Sequence, residues 1–189
     1  MVTWWWVRHG PTLRSDMNGW TDVPADLSDR AALARLAAFL PEGAPVISSD
    51  LSRAVATADA IAAGRPRLPH ERALREIHFG AWEARPFAEI EAEDGPLVRR
   101  YLEQPGDVAP PGGESWNALA ARVSTAVDAL TGMAGDVIAV AHFGPILTQV
   151  QRATGCSAAE VFTREVAPLS VTRIVCDGRW RLEEINRQP

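Results

Sequence analysis

Two periods of hydrophobicity alternate along this chain. The run Val2-Thr3-Trp4-Trp5-Trp6-Val7 is β-branched and aromatic throughout and breaks at Gly10-Pro11, the signature of a strand buried on both faces. Over residues 29–40, Leu33, Leu36, Ala37 and Leu40 recur at helical spacing, with Ser28 placed as N-cap. A short β-like stretch at 45–48 leads into an alanine-rich helix over 52–63 that stops at Gly64. Residues 82–102 predict one or two helices, interrupted around Asp94-Gly95-Pro96, and 104–113 is a proline- and glycine-rich loop. Ser115 then caps a helix to about Met133, with Leu119, Val123, Val127 and Leu130 on one stripe. Another buried strand spans 136–141, and Pro145 opens a further helix near its first turn, where proline is tolerated. Strands over 170–176 and 180–185 flank Asp177-Gly178, a dipeptide that favours a tight hairpin. Strands alternating with helices predict an α/β fold: a three-layer α/β/α sandwich with a mostly parallel sheet and an antiparallel edge near the C-terminus.

Composition narrows the class. With 189 residues, 47% of them apolar, the chain can bury a core as one domain over 1–189, and its modest Gly, Pro and charge content excludes collagen, coiled coil and disorder. A net charge of −5 argues against nucleic acid or an acidic membrane as partner. No apolar run spans a bilayer, and the run from Val2 is too short for a signal-peptide core. Cys156 and Cys176 have no metal-like spacing and suit small apolar fillers in a reduced cytoplasm.

Ligands of open α/β sheets sit beyond the carboxyl ends of the strands. The first strand ends in Arg8-His9-Gly10-Pro11-Thr12, and the strand at 136–141 ends in His142-Phe143-Gly144-Pro145. Two of the chain's four histidines therefore fall at such ends, each followed by Gly and then Pro. A lone histidine there reads equally as a buried structural residue; the pair favours a site. Arg53 lies in the first turn of its helix, unfavourable for a cation unless it and the helix N-terminus jointly hold an anion.

Four ordered blocks carry a resemblance. Arg8 to Thr12 (R-H-G-x-T), Ser49 to Ala58 (S-x-L-x-R-A-x-x-T-A), Glu76 to Glu83 (E-x-x-F-G-x-W-E) and the late His142 are similar to the histidine phosphatase superfamily, also called the phosphoglycerate mutase-like family. Pro111-Gly112-Gly113-Glu114-Ser115 resembles the family's P-x-G-E-S loop. The resemblance implies a phosphohistidine mechanism with His9 as nucleophile, Arg8, Arg53 and His142 around the phosphoryl oxygens, and Glu76 as the proton donor. It implies a small phosphate-ester substrate and neither metal nor cofactor. Ser15, Asn18, Gly19 and Phe143 fall where the family meets substrate, and Trp20, in the same loop, is a candidate ligand contact.

The chain departs from the family at several positions. Pro11 replaces a common glutamate, Ser15 a common asparagine, and Ala84 a usual glycine, while Pro24 and Leu27 stand further apart than the family's Pro-Leu pair. Ala81-Trp82-Glu83 resembles the branch of broad-specificity and α-ribazole phosphatases, and mutases resemble a longer chain. A small-metabolite phosphatase is therefore the expectation, with a phosphoglycerate mutase or a catalytically weak phosphate-binding module as alternatives. Trp4, Trp5 and Trp6 are expected in the core, His70 on a surface loop, His78 lining the cleft, and the run Glu89, Glu91, Glu93, Asp94 on a solvated face or lid.

Overall fold

The computed structural model describes residues 1–132 and 135–189. In chain order the main elements are β1 (Val2–Arg8), α1 (Arg30–Phe39), β2 (Val46–Ser48), α2 (Ser52–Ile61), α3 (Phe87–Glu103), α4 (Trp116–Leu130), β3 (Gly135–Ala141), α5 (Phe143–Thr154), α6 (Ala158–Val161), β4 (Val171–Cys176) and β5 (Trp180–Arg187). The sheet has five strands in the order β2-β3-β1-β4-β5. Pairings β2–β3 and β3–β1 are parallel while β1–β4 and β4–β5 are antiparallel, so four of the five strands point the same way. The turn at Asp177-Gly178 makes the antiparallel edge as expected, with Gly178 at φ 99°.

Alternation along β1 sends its side chains to two cores. Val2, Trp4 and Trp6 pack with Leu119, Val123 and Val127 of α4 and with Ile146, Leu147 and Val150 of α5. On the opposite face Val7, Ile138 and Val140 pack with Leu33 and Leu36 of α1 and with Ala54, Ala58 and Ile61 of α2. This is the three-layer sandwich. Trp4 and Trp6 stack with ring centroids 5.4 Å apart, fully buried. Trp5 is only half-buried, because its indole N–H reaches Asp136 Oδ1 at 2.8 Å and its ring meets Phe39 edge-on.

Several boundaries differ from expectation. Asp29, not Ser28, caps α1: its Oδ1 accepts from the Ala32 amide at 2.9 Å. The region from Trp82 begins as a 3-10 turn (Gly80–Trp82), and α3 starts only at Phe87. Asp94 is non-helical (φ −133°), which puts a kink ahead of Pro96, where a proline ring would clash with a straight helix. Ser115 caps α4 as predicted; Met133 lies outside the described residues. The 3-10 turn and α3 share a small third core of Trp82, Ile90 and Val98, against which Met17 and Tyr101 pack.

Candidate active site

Because β2, β3 and β1 are neighbours and parallel, their carboxyl ends open on one edge of the sheet. There the chain leaves β1 through Arg8 and His9, leaves β2 through Ser48-Ser49 towards Arg53 in α2, and leaves β3 through His142. A cleft of about 170 Å³ opens at this edge, lined by Arg8, His9, Arg53 and Glu76 together with Thr12, Arg14, Ser15, Asp16 and Asn18. A larger hollow of about 390 Å³ beside Pro11, α1 and the C-terminal residues is lined by no histidine.

His9 is 7% exposed, and its Nδ1 lies 2.7 Å from the Gly10 carbonyl oxygen. A carbonyl only accepts, so Nδ1 carries the proton and Nε2 keeps its lone pair. Burial, and then the neighbouring Arg53 charge, holds the imidazole pKa down at about 3 against the opposing pull of the Gly10 bond. The Gly10 amide is itself anchored on Thr57 Oγ1 at 2.9 Å. His142 is fully buried and outside the cleft lining, its ring centroid 4.9 Å from that of His9. Burial, then His9 and Arg53, push its pKa well below the ordinary imidazole value. The Ser49 hydroxyl lies 2.7 Å from His142 Nε2 and can donate to it, leaving Nδ1 to bear the proton. Nδ1 of His142 and Nε of Arg8 find no hydrogen-bond partner among the described residues.

Arg53 is 1% exposed and binds backbone rather than carboxylate: Nη1 donates to Thr21 O at 3.0 Å and Nη2 to Gly19 O at 2.6 Å. At the N-terminus of its helix, Asp22 Oδ1 accepts from the Ser52 amide at 2.8 Å. On the far side of the same loop, the Glu83 carboxylate accepts from the amides of Gly19, Trp20 and Thr21, from the Thr21 hydroxyl and from the Phe79 amide. Burial pushes the Glu83 pKa up, but the Thr21 hydroxyl and these amides outweigh it and hold the net value below the ordinary range. The peptide groups of 19–21 thus lie between an anion and a cation, N–H groups on Glu83 and carbonyls on Arg53.

Glu76 is 9% exposed. Its Oε1 accepts from the Ile77 amide at 2.9 Å and from Gly144 at 3.0 Å, the latter in the first turn of α5. Burial raises its pKa, opposed by those amides and by Arg53 and Arg8. Position 144 must be glycine for this approach, since a Cβ there would stand 2.4 Å from Glu76 Oε1.

The expected substrate contacts divide. Ser15 and Asn18 line the cleft. Gly19 is buried against Ile77, where a Cβ would meet the carbonyl oxygen at 2.0 Å, and Phe143 lies outside the lining with its ring 5.5 Å from the Arg8 guanidinium. Trp20 faces away from the cleft lining: its indole N–H donates to Glu76 O at 2.8 Å and its ring tilts against His78. His78 is likewise outside the lining, and His70 is exposed near Ser48 Oγ. Thr57, Ser49 and Glu83 lie inside the quoted motifs, yet only the fold shows what they touch. Among the described residues no cluster of three or more His, Cys, Asp or Glu is placed to hold a metal, and no helix is long and apolar enough to cross a membrane.

The chain is similar to known proteins over almost all of its length. A bifunctional protein of Mycobacterium tuberculosis is 31% identical over 96% of this chain and 52% of its own length. The chain spans about half the length of the curated relatives it matches. A mycobacterial glucosyl-3-phosphoglycerate phosphatase superposes with a TM-score of 0.85 at 28% identity, covering 99% of both chains. YhfR of Bacillus stearothermophilus superposes with a TM-score of 0.87 at 26% identity over 97% of this chain and 95% of that one. The sequence profile of the histidine phosphatase superfamily (branch 1) matches residues 4–188, and the chain belongs to that family.

Proposed function

We propose that this chain is a metal-independent phosphomonoester hydrolase that acts on a small phosphorylated metabolite through a phosphohistidine on His9. The observation that carries the reading is the convergence of a neutral histidine, its Nδ1 tied to Gly10 O, with two arginines and a buried carboxyl on one cleft. In the first step the Nε2 lone pair attacks phosphorus, the bond to the leaving oxygen breaks, and Glu76 gives its proton to that oxygen. In the second step the Glu76 carboxylate takes a proton from water as the water oxygen attacks phosphorus; the P–N bond breaks and Nε2 recovers its lone pair. Arg8, Arg53 and Nδ1–H of His142 donate to the equatorial oxygens, where charge is spread during transfer. The raised pKa of Glu76 supports a carboxyl that keeps its proton until the leaving oxygen needs it.

The glucosyl-3-phosphoglycerate phosphatase named among the similar structures supports a small phosphorylated metabolite as the substrate class. The 189 residues act as one catalytic domain, and the thiols of Cys156 and Cys176, both unpaired, fit a reduced cytoplasm. Phosphate release from p-nitrophenyl phosphate, followed in buffer containing EDTA, tests the reading. The wild type is expected to turn over at full rate with chelator present, and His9→Ala to fall to background. Equal rates in the two proteins would remove His9 from the chemistry. Conversion of 3-phosphoglycerate to 2-phosphoglycerate in the presence of 2,3-bisphosphoglycerate would assign the mutase reaction instead.

A further inference from the structure

The segment that carries Glu76 has little regular structure of its own. It runs from the end of one 3-10 turn (Arg72–Leu74) to the start of the next (Gly80–Trp82), so neither a strand nor a long helix fixes its path. Arg122, on α4, does. A guanidinium has five N–H donors in a rigid fork, and here each has an acceptor. Nε donates to Glu114 Oε1 at 2.8 Å, and Nη2 to Glu114 Oε2 at 2.7 Å and to Glu76 O at 3.2 Å. Nη1 donates to Ala73 O at 2.8 Å and to Arg75 O at 3.1 Å. Glu114 in turn accepts from the His78 amide at 3.3 Å, while its own amide donates to His78 O at 2.8 Å. The pair therefore grips the chain on both sides of Glu76. Trp20 adds a second donor to Glu76 O.

We propose that Arg122, with Glu114 as its counter-ion, is the positioning residue for Glu76: it holds the backbone of 73–78 so that the carboxyl stays on the Gly144 amide beside His9. The inference rests on the proposed reaction, in which Glu76 moves the proton. Arg122 does not line the cleft, and its fork is already saturated, so it acts through Glu76 rather than on substrate. A lysine, with three donors from one point, cannot reach both a carboxylate and carbonyls spread over four residues.

The charged and titratable groups around Glu76 are Arg8 and His9 at the end of β1, Arg53 on α2, Tyr101 on α3, Arg122 on α4 and His142 ahead of α5. Loosening the 73–78 backbone admits water among them, which weakens the burial that raises the Glu76 pKa. The acid must be protonated to act, so the alkaline limb of the kcat/KM profile moves to lower pH.

The test compares wild type, Arg122→Lys, Glu114→Gln and Glu76→Gln on p-nitrophenyl phosphate, whose leaving group needs no proton, and on β-glycerol phosphate, whose leaving group does. Calorimetric binding of inorganic phosphate shows that the cleft is formed. Arg122→Lys is expected to bind phosphate and to release nitrophenol in the first turnover within about threefold of wild type, while its first-turnover cleavage of the alkyl ester slows about ten- to a hundredfold, in the pattern of Glu76→Gln; the first turnover separates proton donation from the later step in which Glu76 takes a proton from water. Its alkaline limb shifts down in pH. Glu114→Gln, which removes the charge and keeps the shape, is expected to show the same selectivity to a smaller degree. Wild-type behaviour on both esters and in pH, or an equal loss on both, overturns the positioning role and leaves the His9 chemistry standing. A wild type with no His9-dependent hydrolysis overturns the proposed reaction and this inference with it.

Discussion

At the scale of single residues, the same burial that keeps the His9 imidazole neutral makes the fold sensitive to acid. His9 is held at about pKa 3 and His142 well below the ordinary value of 6.5, so both bind a proton on unfolding before they do so folded. Each therefore contributes stability that is present above pH 6.5 and lost as pH falls, by up to about 1.4 kcal/mol per pH unit. Glu76 acts with the opposite sign: its raised value gives stability below its unfolded pKa of 4.5 that is lost as pH rises through the folded one. Between pH 6.5 and pH 4.5 the two lowered histidines outweigh the one raised carboxyl. Urea midpoints measured from pH 7 to pH 4.5 should fall on acidification in the wild type and fall less steeply in His9→Ala. Parallel slopes would mean that His9 is not held neutral.

At the scale of elements, the turn after Trp82 shows what departure from a family pattern does. Ala84 stands where the family usually has glycine, and its φ is 57°, in the left-handed region. Its amide bonds Met17 O and the Arg85 carbonyl accepts from the Met17 amide, so this strained turn docks the cleft-lining loop against the third core. A left-handed non-glycine residue costs roughly 1–2 kcal/mol, and an alanine recovers about 0.4–1 kcal/mol by restricting the unfolded chain. Ala84→Gly should therefore stabilise by about 0.5–1 kcal/mol, read as a rise in the urea midpoint; a loss of that size would show that the turn is unstrained. The elements themselves were largely legible in the sequence. The Trp-rich strand, the Ser115 cap and the Asp177-Gly178 turn each follow from local chemistry. What local pattern does not carry is competition between near-equivalent groups. Asp29 takes the cap from the adjacent Ser28, whereas the interruption expected around Asp94-Gly95-Pro96 is present as the kink at Asp94 within α3.

At the scale of the whole molecule, a net charge of −5 surrounds a cleft lined by Arg8, Arg14 and Arg53. Global charge constrains the surface, whereas strand order decides where the cations meet. His9 and His142 are 133 residues apart in sequence and become neighbours because β3 lies beside β1 in parallel register. Their positions at strand ends were readable; that adjacency was not. The supporting groups were hidden for the same reason. Ser49 and Glu83 stand inside motifs and Arg122 outside them, but none shows what it touches until the fold brings His142, the 18–21 loop and the Glu76 segment to them. The proposed reaction requires a covalent phosphoryl group on His9, which a rapid alkaline quench during turnover, followed by peptide mass spectrometry, detects. A phosphohistidine on the peptide containing His9 in the wild type, absent from His9→Ala, is the result expected; a phosphoryl group on another residue, or turnover without any such adduct, would contradict it.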